Sequence, residues 1–330
     1  MSSGSSGPWR RWQAEQPVHQ DIPRPAATTP DRPRPVVWHP AYEVDIGPHV
    51  FPTRKYRLIR ERLRDEGTVT EGDLVTAMPV SDDDVALVHD REYVRKIADD
   101  ALSTDERILL EVPFSPALRE AMWLCAGGTA LTGRLARDHG VAVHLGGGFH
   151  HAFPDHGEGF CLINDVAIAI RLLQREGVCA RPVVVDLDVH QGNGTAAIFA
   201  RDPAVFTCSF HQQHNYPAWK PPSDLDVGLD DGTGDAEYLA LLDRHLPVIL
   251  EQHRPDMAFY LAGADPYRLD QLGGLALTIE GLRRRDELVL RHLREADVAV
   301  AVTLAGGYAR NPDDTVAIHC GTVHAARGAG

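Results

Sequence analysis

The sequence predicts an α/β protein whose parallel sheet is covered by helices on both faces. Short, strongly apolar runs recur along the chain, each brief enough to be a strand. Longer amphipathic stretches lie between them, several closed by Gly or Pro. The runs are continuously apolar rather than alternating, as expected where both faces of a sheet are buried.

Taken in order, residues 1–35 are rich in Pro, Arg, Gln and Thr without sustained periodicity and read as a disordered or surface-wrapping arm. Within it, residues 1–7 have the Ser/Gly composition of an added tag. Residues 36–330 read as one globular domain, since no linker and no repeat of fixed period interrupts them. Buried strands are expected at Val141-Ala-Val-His144, Val183-Val-Val-Asp186, Val205-Phe-Thr-Cys208, Met257-Ala-Phe-Tyr-Leu261 and Val298-Ala-Val-Ala-Val-Thr303. Helices are expected at roughly 54–65, 91–100, 116–138, 162–176, 235–253 and 280–295. In such folds the ligand site lies beyond the carboxyl ends of the strands, so functional residues should follow the strands.

A chain of 330 residues with 43% hydrophobic content can bury a substantial core. Its formal charge of -14 argues against an extended nucleic-acid surface and tolerates a cationic substrate. The five cysteines, Cys125, Cys161, Cys179, Cys208 and Cys320, form no Cys-x-x-Cys pair and fit a reducing compartment. No apolar run approaches the ~20 residues that span a bilayer, and the N-terminus lacks the apolar core of a secretory signal. A cytoplasmic protein with neither nucleic-acid nor membrane partner is therefore expected. Nothing in the sequence points to an oligomeric state.

Four segments carry chemistry. In Val183-Val-Val-Asp-Leu-Asp-Val-His-Gln-Gly-Asn-Gly194 an apolar strand runs into Asp186, Asp188 and His190, which share one side of an extended chain. A single Asp at a strand end is commonly a helix cap. Three ionisable groups on one face of an apolar strand are costly to bury unpaired, and a bound cation removes that cost. Gly146-Gly-Gly-Phe-His-His151 follows the strand ending at His144; its glycines admit close backbone approach, and its imidazoles offer a proton acceptor and a second, electrostatically distinct group. Taken alone, a His pair is more often structural. Leu261-Ala-Gly-Ala-Asp265 ends another apolar strand in an acid that, beside Asp188 and His190, completes three protein ligands with a position open for water or substrate. Leu304-Ala-Gly-Gly-Tyr308 places a hydroxyl at a glycine-rich strand end, suited to donate to an oxyanion.

With these segments the chain resembles the histone deacetylase family, and its class IV members most. The matching pieces are Gly146-Gly-Gly-Phe-His-His151, Gly159-Phe-Cys161, Asp186-Leu-Asp-Val-His-Gln-Gly-Asn-Gly194, His214-Asn-Tyr-Pro217, Ala262-Gly-Ala-Asp265, Leu272-Gly-Gly-Leu275, Arg285-Asp-Glu-Leu-Val289 and Gly306-Gly-Tyr308, in the family's order. The resemblance implies the arginase/deacetylase fold, a three-layer α/β/α domain around a mainly parallel eight-stranded sheet. It implies zinc on Asp188, His190 and Asp265, with iron(II) or cobalt(II) also suited to two carboxylates and one imidazole. It places the His pair on His150 and His151, the second as general base and acid, and the transition-state tyrosine on Tyr308. Asp186 would partner His150 and Asn193 would partner His151, the carboxylate favouring the charged imidazole more than the amide does. Potassium would sit on Asp186 and on backbone carbonyls including those of Asp188, His190 and Phe210.

The activity implied is hydrolysis of acyl-lysine in a peptide or protein, with Gly159, Phe160 and Tyr216 lining the substrate channel. Trp219 is a further candidate, ordinary packing being the plain alternative for the aromatic residues. An acetylpolyamine or other small acylated amine is the rival substrate, and a catalytically silent binding module the rival from another class. Two departures from the family are visible: only 22 residues follow Tyr308, and Pro266 stiffens the loop after Asp265.

Overall fold

The computed structural model describes residues 34–328. Residues 1–33, nearly all of the expected N-terminal arm, lie outside the described residues. The last two residues assigned to that arm are stitched to the body. Arg34 donates to the carbonyls of Ala326 and Arg327, and Pro35 O accepts from Val143 N at 3.1 Å.

Among the described residues eight strands form one parallel sheet: β1 (Val36–Trp38), β2 (Leu74–Thr76), β3 (Val141–His144), β4 (Pro182–Asp186), β5 (Phe206–Gln212), β6 (Leu225–Leu229), β7 (Met257–Leu261) and β8 (Ala299–Thr303). Their spatial order is β2-β1-β3-β8-β7-β4-β5-β6. The helices are α1 (Lys55–Asp65), α2 (Asp82–Val85), α3 (Arg91–Ala98), α4 (Thr104–Leu110), α5 (Pro116–His139), α6 (Asp165–Arg175), α7 (Asn193–Phe199), α8 (Asp235–His253), α9 (Ile279–Glu295) and α10 (Pro312–Gly328).

Strand alternation divides the core in two. Val183 and Val185 join Ile59, Leu242, Leu290 and Val323 on the face covered by α1, α8, α9 and α10. Val184 points the other way, into the cluster containing Leu124 of α5 and Ile168 of α6. All five expected strands and six expected helices form. The elements not anticipated are short or atypical. β1 and β2 have three residues each. β6 is an edge strand whose Asp226 and Gly228 are exposed. α10 is rich in small and polar residues, and it packs on α9 and α1, so the short segment after Tyr308 still supplies a covering helix.

Two buried histidines show how the polar part of this core is satisfied. His89 Nδ1 lies 2.9 Å from Phe153 O, while its Nε2 accepts from Asn164 N at 3.0 Å, so only the neutral ring fits both partners. His144 lies 2.8 Å from Tyr42 Oη and 3.0 Å from Thr129 Oγ1. Burial lowers His89 to about 4 and His144 to about 3. On unfolding both regain an ordinary value of about 6.5, so the unfolded chain binds the extra protons and stability falls as pH drops from there toward the folded values. Each should remove about 2 kcal/mol of stability between pH 7 and pH 5. Urea midpoints across that range should fall with pH, and His89→Gln, which has no proton to gain, should flatten part of the slope; an unchanged slope would contradict the neutral state.

Candidate functional site

The strands β3, β8, β7 and β4 are neighbours at the centre of the sheet, and the loops leaving their carboxyl ends bring the four motifs to one place. Asp188 and His190 follow β4, and Asp265 follows β7. His190 Nδ1 lies 3.0 Å from Asp188 Oδ1 and 3.5 Å from Asp265 Oδ2, all three residues being buried. One ligand atom from each lies within 4.8 Å of the others.

The remaining oxygens are held by the backbone. Asp188 Oδ2 accepts from Gly306 N at 2.8 Å, and Asp265 Oδ1 accepts from Val189 N at 2.9 Å. Asp265 Oδ2 accepts no hydrogen bond among the described residues. A buried carboxylate oxygen without a donor is what a cation would complete. Electrostatics point the same way. Burial pushes Asp265 up, and Asp188 adds to the shift. Burial opposes charge on His190 too, yet the neighbouring carboxylates of Asp188 and Asp265 outweigh it and raise the imidazole to about 10. The free cluster therefore draws in a proton, and a divalent ion would replace that proton on the imidazole lone pair. Two carboxylates and one imidazole suit zinc, iron(II) or cobalt(II).

Neighbouring groups fix the loops. At Gly306 an added Cβ would lie 2.1 Å from Asp265 Oδ2 and 2.5 Å from Asp188 Oδ2, so the carboxylates require bare backbone there. From α9, fully buried Arg285 donates Nη1 to Gly263 O at 2.7 Å and Leu187 O at 3.3 Å, tying together the loops after β7 and β4. Arg285 lies within a family-like segment, yet its role as a strut is not visible in the sequence.

His150 and His151 sit in the turn after β3. His150 Nδ1 is 2.7 Å from Asp186 Oδ2; burial opposes its charge, but Asp186 and then Asp188 prevail and raise it to about 9. His151 Nδ1 is 2.7 Å from Asn193 Oδ1 at the start of α7, and burial, with His150 and His190, pushes it well down. One imidazole is thus charged and its neighbour neutral. Their turn is held by Asp165, which accepts from Gly148 N at 3.1 Å and Phe149 N at 2.7 Å. Sequence reasoning missed Asp165 because an acid at a helix start reads as a cap.

Tyr308, after β8, is buried, and burial raises its phenol so that it keeps its proton. Its backbone N donates to Asp270 Oδ2 at 2.7 Å, while Asp270 Oδ1 accepts from Leu272 N and Gly273 N at 2.8 and 3.0 Å. Asp270, also missed from sequence, joins the tyrosine to the Leu272-Gly-Gly loop. Gly159, Phe160 and Tyr216 line a cavity of about 220 Å³ that reaches His151, His190 and Tyr308. A smaller space of about 20 Å³ lies further in, bounded by Phe51, Gly148 and Ala305. Trp219 does not line the cavity; it is 66% exposed and stacks on Phe153. Phe210 is buried in β5, one residue beyond the Ser209 that pairs with Asp186.

Comparison with known proteins adds ancestry. Residues 49–322 match the family described as Histone deacetylase domain. An uncharacterized protein of Picosynechococcus sp. is 42% identical over 294 residues, covering 89% of this chain and 98% of that one. Histone deacetylase 2 of Arabidopsis thaliana is 29% identical over 278 residues, covering 82% of this chain and 72% of its own. A probable deacetylase of Archaeoglobus fulgidus is 29% identical over 296 residues, covering 83% and 80%. The crystal structure of an HDAC homolog complexed with SAHA aligns with a TM-score of 0.76 at 22% identity, over 90% of this chain and 84% of that one. The shared fold is the arginase/deacetylase fold, with its eight-stranded parallel sheet.

The packing at Gly306 has a measurable consequence. If the three residues hold a divalent cation, Gly306→Ala should weaken its affinity about 10- to 100-fold, as disturbed support of metal ligands does elsewhere. Competition with a chromogenic chelator checks it, and wild-type affinity would show that the backbone contact to the carboxylates is dispensable.

Proposed function

The chain belongs to the histone deacetylase family, and from that premise we propose that it hydrolyses acyl-lysine, with Asp188, His190 and Asp265 holding a divalent cation, zinc by preference. The observation that carries this reading is the buried three-residue cluster, one of whose carboxylate oxygens lacks a hydrogen bond, set beside a neutral imidazole and a phenol. The bound cation supplies Lewis acidity, lowering the pKa of water and polarising an acyl carbonyl.

The chain's own groups do the rest. His151, with Nδ1 engaged by Asn193, offers Nε2 to take a proton from water as its oxygen adds to the acyl carbon. Tyr308 donates its hydroxyl hydrogen bond to the oxyanion that develops there. As the carbon–nitrogen bond breaks, His151 returns the proton to the departing amine, leaving a carboxylate and a free lysine. Charged His150 stabilises negative charge electrostatically, held by Asp186. Gly159, Phe160 and Tyr216 enclose the lysine stem. Potassium at Asp186 and Phe210 is supported by the family resemblance and by the pairing register of β4 with β5.

The inner space favours a small acyl group. Phe51, Gly148 and Ala305 are the walls that an acetyl methyl would meet there. The class IV resemblance and a cytoplasmic setting belong to the same proposal. A second reading, an acylated small amine as substrate, is favoured by Glu111, whose carboxylate lines the cavity. The retained ligand set and Tyr308 weigh against a silent binding module.

A profile over acetyl-, octanoyl- and myristoyl-lysine peptides and acetylspermidine, each with a chelator control, tests this directly. Acetyl-lysine peptide should be turned over fastest and chelation should abolish the activity; activity that resists chelation would defeat the proposal. Asp265→Ala should purify without metal, whereas His151→Ala should keep metal and lose kcat by about 10²- to 10⁴-fold. Tyr308→Phe should lower kcat about 10²- to 10³-fold on every acyl-lysine. Wild-type kcat in that variant would remove the oxyanion role.

A further inference from the structure

Glu158 lies at the rim of the site, with its side chain only 17% exposed. Oε1 accepts from Asn193 Nδ2 at 2.8 Å and from Tyr216 Oη at 2.7 Å, and Oε2 lies 3.5 Å from His156 Nε2. Burial works against its charge, but hydrogen bonds from His156, Tyr216 and Asn193 outweigh it and hold the carboxyl below its usual range. An ionised carboxylate has no hydrogen to give. Asn193 must therefore turn its NH2 toward Glu158, which leaves its carbonyl oxygen facing His151 Nδ1 at 2.7 Å. That oxygen can only accept, so Nδ1 of His151 carries the ring hydrogen.

The other end of the ring is consistent. His150 Nε2 lies 3.1 Å from His151 Nε2, a contact that needs one hydrogen between two nitrogens. With Nδ1 of His151 carrying the ring hydrogen, Nε2 of that ring is the acceptor in this contact. Tyr216 closes the arrangement. Its ring meets that of His151 edge-on at 5.0 Å, and Gly159, at φ +52°, leaves room for both; a Cβ there would lie 2.8 Å from His151 Cδ2 and 2.9 Å from Tyr216 Oη.

We propose that Glu158 is a positioning residue: it sets the amide orientation of Asn193, thereby holds His151 as the Nδ1–H tautomer with Nε2 as its acceptor nitrogen, and anchors Tyr216 over that ring. The proposal relies on the hydrolase reading for the role of His151, but the tautomer itself does not depend on turnover. Without Glu158 the amide has no side-chain partner for its NH2 and can turn over, setting donor against donor at Nδ1. Glutamine at this position keeps an oxygen that both Asn193 and Tyr216 can reach.

The test is proton and nitrogen NMR of the zinc-loaded, histidine-labelled protein, with the His151 Nδ1–H signal identified by its absence from His151→Ala. The signal should be sharp in wild type, lost or exchange-broadened in Glu158→Ala, and retained in Glu158→Gln and Tyr216→Phe. On acetyl-lysine peptide kcat should fall about 10- to 100-fold in Glu158→Ala, and Glu158→Gln should recover most of the loss. An unchanged signal in Glu158→Ala would overturn the proposal even if the chain hydrolyses acyl-lysine. Loss of the signal in Tyr216→Phe would also overturn it, since the ring would then be held by the tyrosine rather than through Asn193. If no hydrolysis is found, the functional reading fails while the signal still reports whether Glu158 sets the tautomer.

Discussion

The site is organised by the burial of two carboxylates against one imidazole at the centre of the sheet. Asp188 and Asp265 lie in a region where charge is poorly solvated, and their backbone donors satisfy only part of their acceptor capacity. What surrounds them makes that excess negative charge tolerable and keeps it in one geometry. Gly306 offers an N–H with no side chain in the way, Arg285 holds the two ligand loops from behind, and His150 adds positive charge beside Asp188.

The paired histidines follow from the same constraint. They are adjacent in sequence and both buried, yet their shifts run in opposite directions, because one faces a carboxylate while the other, with only an amide partner, is buried beside two further imidazoles. The difference between Asp186 and Asn193 thus gives two chemically identical rings different electrostatic settings, which the proposed mechanism uses for charge stabilisation and for proton transfer. Their separation along the chain matters less than where β4 and α7 deliver them.

Much of this was legible in the sequence. The apolar runs ending at His144, Asp186, Leu261 and Thr303 marked the strands, and the polar residues after each marked the site, because fully buried parallel strands leave a strong compositional signal. Asp186, Asn193 and Tyr308 were found through ordered motifs. Other groups left no such trace. Asp165, Asp270 and Arg285 act through backbone contacts that reach as far as 17, 38 and 98 residues along the chain, and a lone acid or arginine shows nothing of a partner that distant. β6 was hidden because an exposed edge strand need not be apolar. Trp219 was offered as a channel candidate, but an aromatic residue near a motif can stack outside it as readily as within.

The sheet order has a bearing on biosynthesis. Spatial neighbours at the centre come from β3, β4, β7 and β8, so the candidate ligands and the proposed catalytic groups span positions 150 to 308 and the strut comes from 285. A nascent chain leaving the ribosome N-terminus first would expose Asp188 and His190 well before Asp265 exists to join them. An ion shared by all three residues would therefore be captured only once Asp265 has followed the other two out of the ribosome, which orders metal uptake after synthesis of β7.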